Sequence, residues 1–209
     1  MTDPRVQDAL DHALELGEVG VQVAAYLGDE LVVDAWTGVA DPETERTVDG
    51  DTLFSVFSVT KAVTATALHI QAERGLVDYT APIARYWPEF AENGKHGITV
   101  RQALTHRSGV PQMPEGVTPE RMGDWDWMIS RIEAFAPLYE PGSTNAYQKF
   151  VFGWIIAEIV RRTDPKSRPF AQFVQEEISS PLQINDLYLG VPEAELDRVA
   201  PVISASPPQ

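Results

Sequence analysis

Thr52-Leu53-Phe54-Ser55-Val56-Phe57-Ser58-Val59-Thr60-Lys61, running on through Ala62-Val63-Thr64-Ala65-Thr66-Ala67-Leu68-His69-Ile70-Gln71-Ala72-Glu73-Arg74-Gly75, is the stretch on which the reading of this chain turns. A β-branched and aromatic approach gives way at Ser58 to a strongly helical run, and Gly75 supplies the stop, so a helix is predicted with Ser58 at its N-terminus. Ser58 and Lys61 then stand one turn apart on the same face. A serine hydroxyl is a poor nucleophile until a base takes its proton, and a lysine serves as that base only when its pKa falls well below the ordinary value of about 10.4. Burial and the positive end of a helix dipole both act in that direction, and a place in the first turn exposes Lys61 to both. By itself the pattern is weak. With 10 serines and 4 lysines in 209 residues, chance gives about 0.2 Ser-x-x-Lys matches, and an isolated match reads as a helix cap followed by a solvated lysine.

Upstream, Val6, Leu10, Ala13 and Leu14 fall at helical spacing ahead of Gly17, which predicts a short opening helix over 4–16. Residues 19–25 and 31–36 are β-branched and aromatic and flank Gly28-Asp29, a hairpin signal, while 41–51 is polar and turn-rich. Downstream, 78–97 is irregular around Pro82 and Pro88, and 99–105 is a short helix capped by Thr99. A loop with Pro111, Pro114, Gly116 and Pro119 precedes a helix carrying Trp125, Trp127, Met128 and Ile132, which Pro137 stops. Glu140-Pro141-Gly142-Ser143 is a turn, and helices follow over 150–162 and 169–178. Residues 1–199 are read as one domain and the Pro- and Ser-rich residues 200–209 as a disordered tail.

Composition narrows the classes of function. A hydrophobic content of 44% with 9% aromatics suits a packed core. The net charge of -15 repels phosphate and anionic lipid, so neither nucleic acid nor a membrane is expected as a partner. There is no cysteine, hence no disulfide framework and no thiolate zinc site. His12, His69 and His96 have no metal-like spacing, and no phosphate loop, dinucleotide fingerprint or Gly-x-Ser-x-Gly elbow occurs, so no metal and no cofactor are expected. Without an apolar h-region near Met1 or a run of about 18 apolar residues, a soluble cytoplasmic protein is the expectation.

The surrounding blocks turn the weak Ser-x-x-Lys pattern into a specific one. Asp51-Thr52-Leu53-Phe54, Ser58-Val59-Thr60-Lys61-Ala62, Gly75-Leu76-Val77-Asp78, Tyr86-Trp87-Pro88-Glu89-Phe90 and Ile98-Thr99-Val100-Arg101-Gln102-Ala103-Leu104-Thr105-His106-Arg107-Ser108-Gly109 occur in the order and spacing of serine beta-lactamase-like hydrolases. Glu140-Pro141-Gly142, Tyr147 and Phe152-Gly153-Trp154 continue the match. The chain resembles the family VIII-type carboxylesterase branch related to class C beta-lactamases, over about residues 19–191. The resemblance implies an α+β fold of the beta-lactamase/transpeptidase type, mainly helical, with Ser58 at the junction of helices and sheet. It implies that Ser58 forms an acyl-enzyme, that Lys61 assists its deprotonation, and that Tyr147 accepts and donates protons beside both, with the division of labour between Lys61 and Tyr147 open. It also implies a small ester, or a beta-lactam or amide, as substrate.

Two departures qualify the resemblance. Where class C enzymes read Tyr-x-Asn and many related esterases Tyr-His-Ala, this chain reads Tyr147-Gln148-Lys149. If the backbone is extended there, Lys149 accompanies Tyr147 toward the site; if the helix has already begun, Lys149 is a surface residue. The family's third element, a Lys-Thr-Gly or His-x-Gly strand that lends one oxyanion-hole N–H, is not spelled after Tyr147, and the strands that pair with 19–36 are missing with it. An incomplete antiparallel sheet is therefore expected, a two-stranded hairpin whose open edge seeks a second copy or a second chain. Trp125 and Trp127 are candidates for an acyl-binding rim, against which stands packing in a helix groove. His106-Arg107-Ser108-Gly109 is expected to be a structural turn and not a His/Ser pair. Two functions follow: a serine hydrolase of small esters working through Ser58, or a catalytically weak relative that keeps the fold as a binding or assembly module.

Overall fold

The structure, a computed structural model, describes residues 3–203. The architecture is α+β, and the described residues divide into two compact units, one made of residues up to 56 with those from 190 onward, the other of residues 57–189.

The first unit opens with α1 (Pro4–Glu15), where Asp3 caps the first turn by accepting from the Arg5 N–H at 2.9 Å and Pro4 presets the helical φ. The hairpin of β1 (Gly20–Leu27) and β2 (Glu30–Asp41) forms at the predicted turn, in antiparallel register with Val23 opposite Ala35. β2 runs past the expected end at Trp36, and a third short strand, β3 (Arg46–Thr47), pairs with its end, so the sheet has order β1-β2-β3 and is not a bare hairpin. The segment containing β3 reads as turn because its two paired residues carry no period-2 signal. What holds it is long-range: the Arg46 guanidinium donates to the Val199 carbonyl at 2.7 Å. Gly38, at φ +89°, lets β2 pass close to β1; a Cβ there would lie 2.2 Å from the Val19 carbonyl oxygen. The chain returns along Leu53, whose carbonyl accepts from the Ala200 N–H at 2.8 Å. Ala200, counted with the tail in the sequence reading, is instead buried with Ala40 and Val48. Residues 204–209 of that tail lie outside the described residues. β1 has β2 on one side, and its outer edge carries no strand among the described residues.

The second unit holds α2 (Thr60–Glu73), α3 (Val100–Leu104), α4 (Pro119–Gly123), α5 (Trp125–Glu133), α6 (Val151–Thr163) and α7 (Phe170–Val174), the last continuing into a π turn over Gln175–Ser179. α6 is its axis. Val151, Phe152, Ile155, Ile156, Ala157, Ile159 and Val160 are buried nearly all round, the signature of a core helix, and α2, α3 and α5 pack on it. The one carboxylate in that run, Glu158, is fully used: it accepts from Trp125 Nε1, Arg161 and Arg162, each at 2.8 Å. Thr99 and Gln102 close the predicted start of α3 with a capping box, each side chain bonding the other's backbone N–H. Beyond α6, the buried Asp164 takes a bidentate bond from Arg168, which also reaches Glu176 and Glu177, and the Arg168 guanidinium holds the Asp164 carboxyl down to about 2.

No helix among the described residues is long and apolar enough to cross a membrane.

Candidate active site

The site is built on the start of α2. Phe57–Val59 form a single 3-10 turn, and α2 proper begins at Thr60, two residues later than predicted. Phe57 sits at φ +44°, an uncommon conformation for a bulky side chain. It is placed immediately before Ser58, where the chain changes direction into the helix. The Ser58 hydroxyl is not spent on capping: the cap position is Val59 and has no side-chain bond. Ser58 Oγ instead accepts from Lys61 Nζ at 3.1 Å. Lys61, half-buried in the first turn, also donates to the Lys149 carbonyl at 2.8 Å and lies 4.9 Å from the Tyr147 ring centre.

Tyr147 comes from an irregular segment that is held by hydrogen bonds to the turn after α3. Asn145 Nδ2 donates to the Thr105 carbonyl at 2.7 Å, the Ala146 N–H to the His106 carbonyl at 3.0 Å, and the Gly142 N–H to the Arg107 carbonyl at 2.8 Å. The Arg107 guanidinium returns a bond to the Gly142 carbonyl. Gly109, at φ +82°, allows the close approach beneath it; a Cβ there would lie 2.6 Å from the Tyr139 carbonyl oxygen. Helical geometry resumes at Val151. The Tyr147 phenol is thereby delivered to Ser58 and Lys61, and hydrogen bonding with Ser58 first, then with Lys61, holds its pKa below the ordinary tyrosine value.

Of the residues singled out in the sequence, Ser58, Lys61 and Tyr147 meet. Lys149 joins them through its carbonyl: it stands in a turn just ahead of the next helix, and its side chain is exposed, with Nζ 5.1 Å from the centre of the Phe150 ring. Trp125 and Trp127 are engaged elsewhere. Trp125 bonds Glu158 on α6 and carries the Arg161 guanidinium 4.9 Å over its ring, and Trp127 has Arg121 and Arg131 at 5.2 and 5.3 Å. Two further residues stand at the site: His106, expected only as part of a structural turn, and Gln148, quoted in the Tyr147 motif without a role. The His106 ring packs 4.8 Å from Tyr147 and 5.0 Å from Phe152, and its Nδ1 accepts from the Gln148 N–H at 3.2 Å. The turn expected over His106–Gly109 is present, with His106 itself at φ +58°, and the one sequence signal was that histidine is among the residues enriched in that conformation.

The Beta-lactamase family profile matches residues 6–209 of this sequence. The chain belongs to the Beta-lactamase family. Within the family it is 38% identical over 185 residues to the Esterase/beta-lactamase LipL of Mycobacterium tuberculosis, a match covering 88% of this chain and 42% of that protein. Among solved structures it superposes on a family VIII carboxylesterase with TM-score 0.89 and 38% identity, over 96% of this chain and 56% of the other. It also superposes on a penicillin-binding protein homologue from Caulobacter crescentus with TM-score 0.86 and 34% identity, over all of this chain and 57% of that one. The chain thus spans about half the length of the relatives it matches, and its ancestry is that of serine hydrolases.

Proposed function

We propose that the Ser58 group is the acylating centre of a serine hydrolase acting on small carboxylic esters, with Tyr147 as the group that takes the Ser58 proton. The observation that carries this is the pattern of donors and acceptors. Lys61 Nζ bridges Ser58 Oγ and the Lys149 carbonyl, and Tyr147, hydrogen-bonded with Ser58 and Lys61, has its pKa lowered, the direction a base needs. The Tyr147 phenolate removes the Ser58 proton as Oγ attacks the ester carbonyl carbon. The resulting tetrahedral oxyanion collapses, the C–O bond to the alcohol breaks, and Tyr147 returns the proton to the leaving oxygen. A water then repeats the sequence on the acyl-serine, releasing the acid and restoring the Ser58 hydroxyl. Lys61 stabilises the phenolate throughout, and the N-terminal end of α2 favours negative charge at Ser58. The relatives, an esterase/beta-lactamase and a carboxylesterase, support the ester as substrate class.

The reading is tested by the pH dependence of p-nitrophenyl butyrate hydrolysis, corrected for the buffer rate. Because the working form of Tyr147 is ionised and its pKa lies below 10.0, the rate should climb about tenfold per pH unit from neutrality and level off below pH 10. A rate that is flat between pH 7 and 9 would count against Tyr147 as the base.

A further inference from the structure

His106 holds the segment around Tyr147 in three ways. Its carbonyl accepts from the Ala146 N–H on one side of Tyr147, its Nδ1 accepts from the Gln148 N–H on the other, and its ring packs against the Tyr147 ring between them. The imidazole also packs 5.0 Å from the ring of Phe152 in the first turn of α6, so the clamp is braced by the core helix. Gln148 completes it from below: its side chain is buried, and Nε2 donates to the Val110 carbonyl at 3.2 Å. One residue further on, the Lys149 carbonyl accepts from Lys61. The orientation of the phenol and the seat of the lysine therefore both depend on where His106 holds this short segment.

We infer that His106 is the positioning residue for Tyr147, and that the site works only while the imidazole is neutral and accepting at Nδ1. The inference rests on the reading of Ser58, Lys61 and Tyr147 given above. A proton on Nδ1 would set an N–H against the Gln148 N–H, two donors facing each other, and would add a second cation beside Lys61. The titratable groups facing the ring are Lys61 from α2 and Tyr147 from the segment before α6. α6 presents Phe152 to it, and Arg107, next in the chain, donates to the Gly142 carbonyl. Burial first, and the Lys61 charge second, hold the His106 pKa below its ordinary 6.5, against the Gln148 side chain, which acts to raise it. The clamp is therefore intact at neutral pH and opens as the pH falls through that lowered value.

The test is an NMR titration from pH 7.5 to 4.5, following the Gln148 amide and the Tyr147 ring in the wild type and in His106→Asn, paired with the rate at which a fluorophosphonate labels Ser58. Asparagine tolerates the same positive φ and offers Oδ1 as an acceptor in place of Nδ1, but does not titrate. In the wild type the Gln148 and Tyr147 resonances should move together with the protonation of His106. The labelling rate should fall about tenfold per pH unit above that midpoint and about a hundredfold per unit below it, as two groups then limit the reaction. In His106→Asn both the coupled resonance shift and the steeper limb should vanish. His106→Leu, which lacks the acceptor, should label about 100-fold more slowly at pH 7.5, with His106→Asn recovering most of that loss. Gln148 and Tyr147 resonances indifferent to His106 protonation, or the same steep limb in His106→Asn, would overturn the inference. A folded wild type that takes no label at any pH would instead remove the hydrolase reading, while the resonances still decide the role of His106.

Discussion

Tyr147→Phe is expected to slow acylation of Ser58 by about 10²- to 10⁴-fold, the usual contribution of a positioned general base, with no loss of stability. The phenol is 53% exposed and its hydroxyl serves only the Ser58 group, so its removal leaves no orphaned donor in the core. Phenylalanine keeps the ring packing on His106, which separates proton transfer from positioning. Lys61→Met should also be severe, because it removes the cation that stabilises the phenolate and empties the bond to the Lys149 carbonyl. The two substitutions are distinguishable by pH. Tyr147→Phe should abolish the climb in rate above neutrality, whereas Lys61→Met should move that climb to higher pH, since the phenol loses the partner that depresses it. If Lys61 were the base, Tyr147→Phe would cost less than tenfold and the climb would survive it.

The second large effect is on stability. Lys95→Met is expected to cost roughly 2–6 kcal/mol, read as a shift in the urea midpoint at unchanged slope. Lys95 is wholly buried, and its ammonium donates to the carbonyls of Glu92 at 2.9 Å, Glu133 at 2.6 Å and Phe135, using all three of its N–H groups. The reason these carbonyls need it is written in the chain. Four residues beyond Glu133 stands Pro137, which has no N–H to give, so the last turn of α5 cannot close in the ordinary way. Glu92 keeps the Lys95 backbone N–H as a partner, which leaves Glu133 and Phe135 as the acceptors orphaned in the variant, at about 1–3 kcal/mol each. Burial pushes the Lys95 pKa down to about 8 from 10.5. Between those values the unfolded chain binds the proton that the folded chain has released, so this group's contribution to stability rises with pH from about 8 to 10.5 and is at its lowest below 8. The methionine variant should lose that rise.

Much of the fold was legible because local chemistry and tertiary structure agree. The hairpin at Gly28, the capping box at Thr99 and Gln102, and the stop at Gly75 are each set by residues adjacent in sequence, and each forms where expected. The Ser58–Lys61 pair was legible for the same reason, being one helical turn of spacing. What could not be read depends on partners far along the chain. β3 exists through Arg46 and Val199, and the division of the chain after Val56 and before Gly190 has no compositional mark. Lys149 shows the limit most plainly: the sequence poses the question of where its side chain points, while the atom that matters is a carbonyl, which every residue has. Lys95 is hidden for a different reason, since lysine is among the residues least often fully buried and only the Pro137 defect explains its place.

The central claim is that Ser58 is an activated nucleophile. It is tested most directly by exposing the purified chain to a fluorophosphonate and reading the intact mass of the wild type beside Ser58→Ala, with circular dichroism confirming that both are folded. The account predicts a single adduct on the wild type and none on Ser58→Ala. A folded wild type without an adduct, or an adduct that persists in Ser58→Ala, would contradict it.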